Sequence, residues 1–449
     1  MNAINDIFKA YDVRGKVGSE LTAEVAGSIG KAFADWLPTK GAVAVGRDMR
    51  PDSAELANAL INGLRGQGRD IVDIGLVTSD MIYFAVGSGK LAGGAMVTAS
   101  HNPGEYNGIK LCREEARPVG LESGLSEVRD AVLASTFKPV AVQQGGLTSK
   151  DITEDWVTHA LSFIDPTKLK PFKLAVDAGN GMAGKIFPEL EPYVPWEITE
   201  MYFELDGTFP NHEANPLKFE TLADLITTIK THKLDGGIAF DGDGDRAFLV
   251  DETGTVIPGD IMLAIISDYF LERFPDSTIL YDLRSSRAVP ELISSKGGTP
   301  LRTKVGHSNI KPLMREQNAP FGGEVSGHFY FRDNFFADSG LIAAVIGLYA
   351  AGLSGKSLSQ LRAAHAHYAN IPETNFEVAD KAAVFARLKA AYAGKQQEEL
   401  DGLTVDTGGG AWFNVRPSNT EPVIRLNAEA KTKGELDQLV AKVTKLITE

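Results

Sequence analysis

The sequence has a single cysteine, no excess of positive charge and no long apolar run. Cys112 is the only cysteine among 449 residues, which excludes an intramolecular disulfide and a CxxC-type metal site. The formal net charge is −14, which argues against a general affinity for nucleic acid or for an anionic membrane surface. If this acidic chain binds an anionic ligand, it therefore needs local clusters of Arg and Lys.

The chain also lacks an obvious membrane or export segment. The most membrane-like stretch runs from Ser339 to Leu353 and is too short and too rich in Gly and Ala to span a bilayer. We interpret this stretch as a buried helix. At the N-terminus, Asp6 and Lys9 precede any apolar core, unlike a secretory signal peptide. We therefore expect a cytoplasmic protein.

Three stretches of the chain share one order of elements: an apolar run, a polar turn, an amphipathic helix and a second strand. The three apolar runs are Ala42 to Val45, Leu174 to Val176 and Thr278 to Tyr281. Strands that alternate with helices are typical of βαβ units and of mixed or parallel sheets. The chain is also too long for one hydrophobic core. We predict an α/β protein with three related domains and a smaller C-terminal α+β domain, at residues 1–150, 151–253, 254–368 and 369–449.

A candidate nucleophile lies in residues 97–107, which read VTASHNPGEYN. An apolar run ends at Ser100, and the Pro and Gly that follow predict a loop at the end of a strand. His101 and Asn102 would place polar groups beside the hydroxyl. A nucleophilic serine and a serine that merely caps a turn are both consistent with this pattern.

Residues 234–251, LDGGIAFDGDGDRAFLVD, contain the clearest candidate metal site. Asp241, Asp243 and Asp245 alternate with glycines, and three carboxylates so close repel one another unless a cation holds them. Ligands that offer only oxygen favour a hard ion such as Mg²⁺. An EF-hand is excluded because Arg246 occupies the position where its loop needs glycine.

The glycine-rich loop GNGMAGK at residues 179–185 matches two nucleotide-binding patterns. A Walker loop needs Ser or Thr after the lysine, but Ile186 stands there. A dinucleotide fold needs an acidic residue about twenty positions further on, and Glu200 has this spacing. A nucleotide-dependent enzyme built on Gly179 to Gly184 therefore stays open as an alternative, and so does a simple glycine-rich turn.

Two further loops contain polar groups suited to a phosphorylated sugar. In PFGGEVSGHFY at residues 320–330, Glu324 and Ser326 would point to the same side of an extended segment and could bind vicinal hydroxyls. In VRPSNTEPVIR at residues 415–425, one arginine and several donors would suit an unreactive phosphate or carboxylate. Alone, each loop could equally be a polar surface turn. Further cationic candidates are Arg14, Lys110, Arg284, Lys304 and His307.

Together these motifs resemble the α-D-phosphohexomutase superfamily, in its phosphomannomutase/phosphoglucomutase branch. TASHNP is similar to the family's phosphoserine loop, DGDGDR to its magnesium loop, GEVSGH to its sugar-recognition loop and RPSNTEP to its phosphate-binding loop. The motifs stand in the family's order over nearly the whole chain. Two positions depart from the pattern: Arg284 stands where many relatives carry Lys, and Val325 where relatives carry Met or Gln.

The resemblance implies four domains around a central cleft and a mutase that interconverts hexose 1- and 6-phosphates of mannose or glucose. It implies a phosphorylated Ser100 that also ligates Mg²⁺, and a hexose 1,6-bisphosphate as intermediate and activator. The implied catalytic residues are Ser100, His101, Lys110, Arg14, Arg246 and His307, and the implied metal ligands are Ser100, Asp241, Asp243 and Asp245. The implied substrate-binding residues are Tyr11, Arg284, Glu324, Ser326, His328, Arg416, Ser418, Asn419, Thr420 and Arg425.

Phosphoglucosamine mutase is the nearest alternative activity, and a sugar-phosphate-binding protein without enzymatic activity is another. The expected partner is a small sugar phosphate, with no nucleic acid or membrane. We expect a monomer or a small homo-oligomer, in which the last domain closes over substrate through a hinge near residues 371–375.

Overall fold

The computed structural model describes residues 3–418 and 423–449, which form four β-sheets with helices packed against them. The strands of the first sheet are β1 (Val13–Lys16), β2 (Val43–Arg47), β3 (Ile71–Leu76), β4 (Gly93–Val97), β5 (Tyr106–Arg113), β6 (Arg117–Pro118) and β7 (Leu147–Ser149). The helices in this part of the chain are α1 (Ala3–Asp6), α2 (Ala23–Trp36), α3 (Ser53–Gly66), α4 (Ser79–Gly89) and α5 (Leu125–Ala134). The order in the sheet is β1-β5-β4-β2-β3-β7, with β6 beside β5.

The second sheet has four strands in the order β11-β10-β8-β9. The candidate metal loop connects β10 to β11, and the glycine-rich loop follows β8. Its strands are β8 (Phe172–Asp177), β9 (Trp196–Met201), β10 (Gly236–Phe240) and β11 (Ala247–Asp251). Its helices are α6 (Thr153–Leu161), α7 (Ala183–Leu190) and α8 (Ala223–His232).

The third sheet has the order β13-β12-β14-β15-β16. Its strands are β12 (Thr278–Asp282), β13 (Thr299–Thr303), β14 (Phe321–Gly323), β15 (Phe329–Phe331) and β16 (Ala337–Asp338). Its helices are α9 (Gly259–Arg273), α10 (Ala288–Ser295), α11 (His307–Glu316), α12 (Gly340–Ser354) and α13 (Leu358–His365).

The fourth sheet has the order β17-β22-β21-β20-β19, with β18 also paired to β22. Its strands are β17 (Ala369–Asn370), β18 (Thr374–Glu377), β19 (Gln396–Glu398), β20 (Leu403–Gly408), β21 (Ala411–Pro417) and β22 (Val423–Ala430). Its helices are α14 (Lys381–Ala391) and α15 (Lys433–Thr448). Short 3₁₀ turns lie at Glu114–Ala116, Leu121–Ser123, Pro166–Lys168, Glu191–Tyr193, Phe219–Leu222 and Arg332–Asn334.

The central strands are apolar because they are covered on both faces. All five residues of β4, and all five of β10, are buried, as expected for strands with helices on each side of the sheet. The α/β class with mixed sheets is therefore confirmed. The polar side chains that follow these strands converge at their carboxyl ends, where ligands bind in open α/β sheets.

The apolar stretch from Ser339 to Leu353 forms the buried helix that its composition predicts. The Ser339 hydroxyl caps α12 by accepting a hydrogen bond from the Ile342 amide. The helix ends at Gly355, whose φ of 65° lies in the left-handed region. Within the described residues, no single helix is long and apolar enough to cross a membrane, and the pair α12 and α13 meets that test only jointly, across a 93° bend.

Two local features leave little trace in the composition. The polar segment 136–150 contains a strand, because β7 within it pairs in parallel with β3. The stretch TVDTGGGAWFNVRP contains two strands, β20 and β21, which pair antiparallel across Gly408 to Gly410. All three glycines of this turn have positive φ, so the glycine run marks a chain reversal rather than a break within one strand.

Candidate active site

Ser100 lies in the loop after β4 and is 97% buried. Its φ is 51°, a left-handed conformation that a non-glycine residue adopts only when its surroundings impose it. The Ser100 hydroxyl donates to Asp241 Oδ2 at 2.8 Å, and its oxygen lies 3.2 Å from His101 Nδ1. The loop therefore presents the hydroxyl to the acidic loop of the second sheet.

Arg50 holds this loop in place, a role that the sequence reasoning missed. Its guanidinium donates to four backbone carbonyl oxygens of the loop, at Ser100 (2.9 Å), Asn102 (2.6 Å), Pro103 (2.9 Å) and Tyr106 (2.8 Å). The buried carboxylate of Asp48 lies 3.2 Å from Arg50 Nε. The one available sequence signal was the position of Asp48 and Arg50 directly after β2, at the carboxyl end of the inner strands, where Ser100 also lies.

The acidic loop connects β10 to β11 and brings three carboxylates together. One ligand oxygen from each of Asp241, Asp243 and Asp245 lies within 4.8 Å of the others, and all three residues are buried. Lys110 Nζ lies 2.6 Å from both Asp243 Oδ2 and Asp245 Oδ2. Arg246 donates from Nε to Asp241 Oδ2 at 2.9 Å.

A divalent cation fits this donor set. Three carboxylates face two side-chain cations, so negative charge is left over in a buried site where it is costly. Asp243 Oδ1 and Asp245 Oδ1 are also buried without a hydrogen-bond donor among the described residues. Carboxylate oxygens with unused lone pairs, and no thiolate, are the ligands of a hard ion.

Burial and pairing set the charges of the acidic cluster. Burial raises the pKa of Asp241 to about 7, against the opposing effect of Arg246. Burial acts in the same direction on Asp243, but Lys110 outweighs it and lowers the pKa of that carboxyl. Burial lowers the pKa of Lys110 less than Asp243 and Asp245 raise it, so that the net pKa is well above the ordinary value. Lys110 is thus held as a cation.

Arg14 and His101 flank the hydroxyl of Ser100. Arg14 Nη1 donates to Asn102 Oδ1 at 2.5 Å and to the Ala99 carbonyl at 3.2 Å. Burial, followed by the charges of Arg246 and Arg14, lowers the pKa of His101 well below its usual range. His101 is therefore neutral near pH 7.

His307 begins α11 and faces the first domain. Its ring lies edge-on to the ring of Tyr11, with centroids 5.0 Å apart. Burial and then Lys311 lower the pKa of His307 well below its usual range, and its Nδ1 has no hydrogen-bond partner among the residues described. Lys304, another cationic candidate, is exposed.

The recognition loop brings Glu324 and Ser326 together, but it does so in a tight turn, in which the Gly327 amide donates to the Glu324 carbonyl, and not in the extended segment expected from the sequence. Ser326 Oγ donates to Glu324 Oε2 at 3.2 Å, and Arg284 Nη2 lies 3.7 Å from the same oxygen. Asp282 ties these groups together, because it accepts from Arg284 Nη2 at 2.6 Å and from the Val325 amide at 2.9 Å. Burial lowers the pKa of Arg284, but Asp282 outweighs this effect and raises it.

His328 connects the recognition loop to the acidic loop. Its Nδ1 lies 2.8 Å from Asp338 Oδ2 and 3.9 Å from Asp245 Oδ1. Burial lowers the pKa of His328 less than Asp245 and Asp338 raise it. These three residues also form a second possible ligand group, but Lys311 Nζ already lies 2.7 Å from Asp338 Oδ1.

The C-terminal domain supplies arginines from the adjacent strands β21 and β22. Arg416 Nη2 donates to Glu373 Oε2 at 2.5 Å, and Arg425 Nη1 lies 3.6 Å from Glu373 Oε1. Arg425 Nη2 also donates to Ser418 Oγ at 3.4 Å. Glu373 contributes to raising the pKa of Arg284 as well, so this carboxylate lies among arginines of two domains. The other two expected residues, Asn419 and Thr420, lie outside the described residues.

The glycine-rich loop at residues 179–185 is occupied by contacts within the protein. The amide of Asn180 donates to the Tyr202 carbonyl, and that of Met182 to the Gly242 carbonyl. A Cβ at Gly184 would lie 2.3 Å from the Phe203 carbonyl oxygen. The glycines therefore serve close backbone packing, and the amides of Asn180 and Met182 are not available to cradle a phosphate, which contradicts the nucleotide-binding alternative.

The contacts described above bring together groups from the first three parts of the chain. Ser100 and Lys110 reach the acidic loop, His328 reaches the acidic loop from the third domain, and Tyr11 reaches His307. The fourth part is linked to them through Glu373, whose charge acts on Arg284. The sequence motifs contain these groups, but they do not contain Arg50, Asp338 and Glu373, which hold them in place. Their only sequence signal was a charged residue close to a recognised motif or to a strand end.

The chain is similar over nearly its whole length to one family of known proteins. Four family models cover the chain: phosphoglucomutase/phosphomannomutase alpha/beta/alpha domain I at residues 5–138, domain II at 154–254, domain III at 258–368 and the C-terminal domain at 373–446. The chain is 42% identical over 434 residues to a protein named phosphohexose mutases from Xanthomonas campestris pv. campestris (strain B100), covering 94% of this chain and 95% of that protein.

Two more relatives agree. A phosphomannomutase from Vibrio cholerae serotype O1 is 39% identical over 455 residues, covering 98% of each chain. The crystal structure of a phosphoglucomutase/phosphomannomutase family protein from Burkholderia thailandensis superposes with a TM-score of 0.91 at 33% identity, covering 98% of this chain and 97% of that one. The chain therefore belongs to the phosphoglucomutase/phosphomannomutase family.

Proposed function

We propose that this protein is a phosphohexomutase that interconverts the 1-phosphate and 6-phosphate of a hexose, either mannose or glucose or both. Ser100 carries the phosphoryl group, and a hexose 1,6-bisphosphate is the intermediate and activator. The observation that carries the proposal is the buried Ser100 hydroxyl, which lies 2.8 Å from Asp241 in an acidic cluster that also contains Lys110 and Arg246.

Magnesium is the proposed cofactor, held by Asp241, Asp243, Asp245 and the phosphorylated Ser100. Asp243 Oδ1 and Asp245 Oδ1 accept no hydrogen bond from the described residues, which supports this assignment. A bound Mg²⁺ would supply positive charge where the oxygens of a transferring phosphoryl group gather negative charge. Arg246 and Lys110 provide fixed positive charge beside the same position.

In the transfer, the bond between Ser100 Oγ and phosphorus breaks, and a new bond forms between phosphorus and a free hydroxyl oxygen of the hexose phosphate. The proton of that hydroxyl must pass to a base. His307 is buried and neutral, so it can accept a proton, whereas Lys110 is held as a cation and cannot. The second half reaction returns the other phosphate to Ser100 by the same bond changes in reverse.

The phosphate that does not react needs a separate site. Arg416 and Arg425 of the C-terminal domain, with Ser418, are the proposed donors for it, together with the expected Asn419 and Thr420. Glu324 and Ser326 are the proposed partners of the sugar hydroxyls, and the arrangement around Arg284 supports this role because Asp282 orients both Arg284 and the Val325 amide. Closure of the C-terminal domain over the substrate would exclude water, which would otherwise hydrolyse the phosphoserine.

A coupled assay tests the proposal. Purified protein with Mg²⁺ and a catalytic amount of glucose 1,6-bisphosphate is supplied with glucose 1-phosphate or mannose 1-phosphate, and formation of each 6-phosphate is followed. We expect turnover of at least one sugar, and comparable rates would establish dual specificity. Turnover of glucosamine 1-phosphate alone would replace the proposal by the phosphoglucosamine mutase alternative, and binding without turnover of any of the three would indicate a binding protein.

A further inference from the structure

A cavity of about 260 Å³ lies between the first and third domains. Its lining includes Arg113 and Arg117, from the hairpin of β5 and β6, and Arg315, from the last turn of α11. Ser123 and Ser308 add two hydroxyl groups. Three guanidinium groups from two domains thus meet around one small space.

The carboxylates near this cavity do not neutralise all three arginines. Glu114 pairs with Arg113, and Glu115 pairs with Arg117 at 2.6 Å. Among the described residues, Arg315 donates to the backbone carbonyl oxygens of Glu115 and Phe335, at 2.6 and 2.7 Å, and to no carboxylate.

Arg315 is the arginine of this group that forms no ion pair. Its guanidinium has no carboxylate of residues 3–418 and 423–449 within ion-pairing distance, since Glu114 and Glu115 pair with the other two arginines, and its Nε is buried without a hydrogen-bond partner among them. Burial, and after it the nearby charge of Arg117, lowers the pKa of Arg315 to about 10, against a smaller opposing effect of Glu115. The protein therefore holds like charges together here at an energetic cost that a bound anion would remove.

We propose that this cavity binds the phosphate group of a small molecule, at a site separate from the acidic cluster and from the arginines of the C-terminal domain. Guanidinium groups donate in pairs to tetrahedral oxyanions, and forks from three directions suit a phosphate better than a planar carboxylate. The cavity is smaller than the roughly 300–1,000 Å³ of sites for drug-sized ligands, which matches a phosphate with few further atoms.

The location gives the site a direct link to the catalytic cleft. Ser308 lines the cavity, and the preceding residue, His307, contacts Tyr11 in the cleft. An anion bound to Arg113, Arg117 and Arg315 would bridge the first domain and α11. It would thereby stabilise the domain contact that positions His307.

The test measures binding of inorganic phosphate by isothermal titration calorimetry to the full chain carrying Arg416→Ala, which weakens the proposed phosphate grip of the cleft. We expect a residual site whose affinity falls at least about tenfold when Arg117→Gln and Arg315→Gln are added. Arg129→Gln is the matched control, because Arg129 is an arginine of the same domain on α5 that pairs with Asp130 outside the cavity.

Each result has a defined meaning. The proposal would be overturned if the Arg416→Ala protein bound phosphate with the same affinity before and after Arg117→Gln and Arg315→Gln are added. It would also be overturned if Arg129→Gln lowered the affinity equally. Arg315→Gln removes two hydrogen bonds to backbone, so its fold is checked by circular dichroism. If it fails to fold, Arg117→Gln alone decides the matter, since this side chain is 42% exposed, and a loss of less than about threefold would refute the proposal.

Discussion

Substitution of Glu373 by Gln is expected to tighten phosphate binding in the cleft. The Glu373 carboxylate accepts a hydrogen bond from Arg416 and lies near Arg425 and Arg284. It therefore lies where these arginines would bind a substrate phosphate. An arriving phosphate must compete with Glu373 for the guanidinium of Arg416. The uncharged amide of Gln competes less well, because it accepts a hydrogen bond without an ionic attraction.

The structure sets the size of this effect. The Arg416 and Glu373 side chains are 8% and 28% exposed, so their 2.5 Å contact is only partly screened by water. A hydrogen bond to a charged group contributes about 1.5–3 kcal/mol, and the partial exposure of Glu373 places this one near the lower limit. Since 1.4 kcal/mol is a factor of about ten, the dissociation constant for glucose 6-phosphate should fall about tenfold.

Isothermal titration calorimetry of wild-type and Glu373→Gln protein with glucose 6-phosphate measures this change. Glu377→Gln is the matched control, because Glu377 is an exposed glutamate at the other end of β18, with the same loss of charge. An unchanged or higher dissociation constant for Glu373→Gln would show that Glu373 orients Arg416 for phosphate instead of competing with it. If the wild-type protein binds neither glucose 6-phosphate nor mannose 6-phosphate, the proposed function itself is wrong.

Three further outcomes are expected. Ser100→Ala should lose nearly all turnover and still bind sugar phosphate, since the nucleophilic oxygen alone is removed; calorimetry beside the coupled assay checks this, and retained turnover would exclude Ser100 as the phosphoryl carrier. Arg50→Lys should keep the charge opposite Asp48 but cannot reach four carbonyls, so kcat should fall about tenfold or more with little change in KM, and a kcat within twofold of wild type would contradict the role of Arg50. Burial raises the pKa of Asp80 to about 8 in the folded protein, above its unfolded value, so stability is lost as pH rises; between pH 7 and pH 9 the loss from this group should be about 1.4 kcal/mol. Urea unfolding should show this loss reduced in Asp80→Asn, and equal losses would refute it.

The sequence predicts the central strands because their burial leaves a clear pattern. The runs that became β2, β8 and β12 are continuous and apolar, and burial on both faces of a sheet requires this. Strands at the edge of a sheet leave a weaker pattern in the sequence. Strand β7 consists of three exposed residues, so nothing in its composition separates it from a polar linker.

The candidate site is predictable where chemistry demands a residue type in a compact motif. Asp241, Asp243 and Asp245 are adjacent in the chain and in space, so their spacing alone indicates a cation site. The groups that orient the motifs come from distant positions: Arg50 contacts Ser100 across 50 residues and Arg416 contacts Glu373 across 43. Both pairings form within one domain, between segments that only the tertiary fold brings together, and local patterns in one sequence do not contain that information.

Because Arg50 anchors the Ser100 loop, the sugar bisphosphate and not the serine has to move during a turnover cycle of the proposed reaction. Both groups belong to the first domain, and the left-handed backbone at Ser100 is fixed by bonds to carbonyl oxygens, which do not change when the side chain gains or loses a phosphoryl group. The Ser100 backbone therefore keeps its position while its side chain exchanges the phosphoryl group. In the proposed reaction the two ends of the sugar must exchange places, so the rotation falls entirely to the bisphosphate, and the cleft has to leave it room to turn without letting it escape.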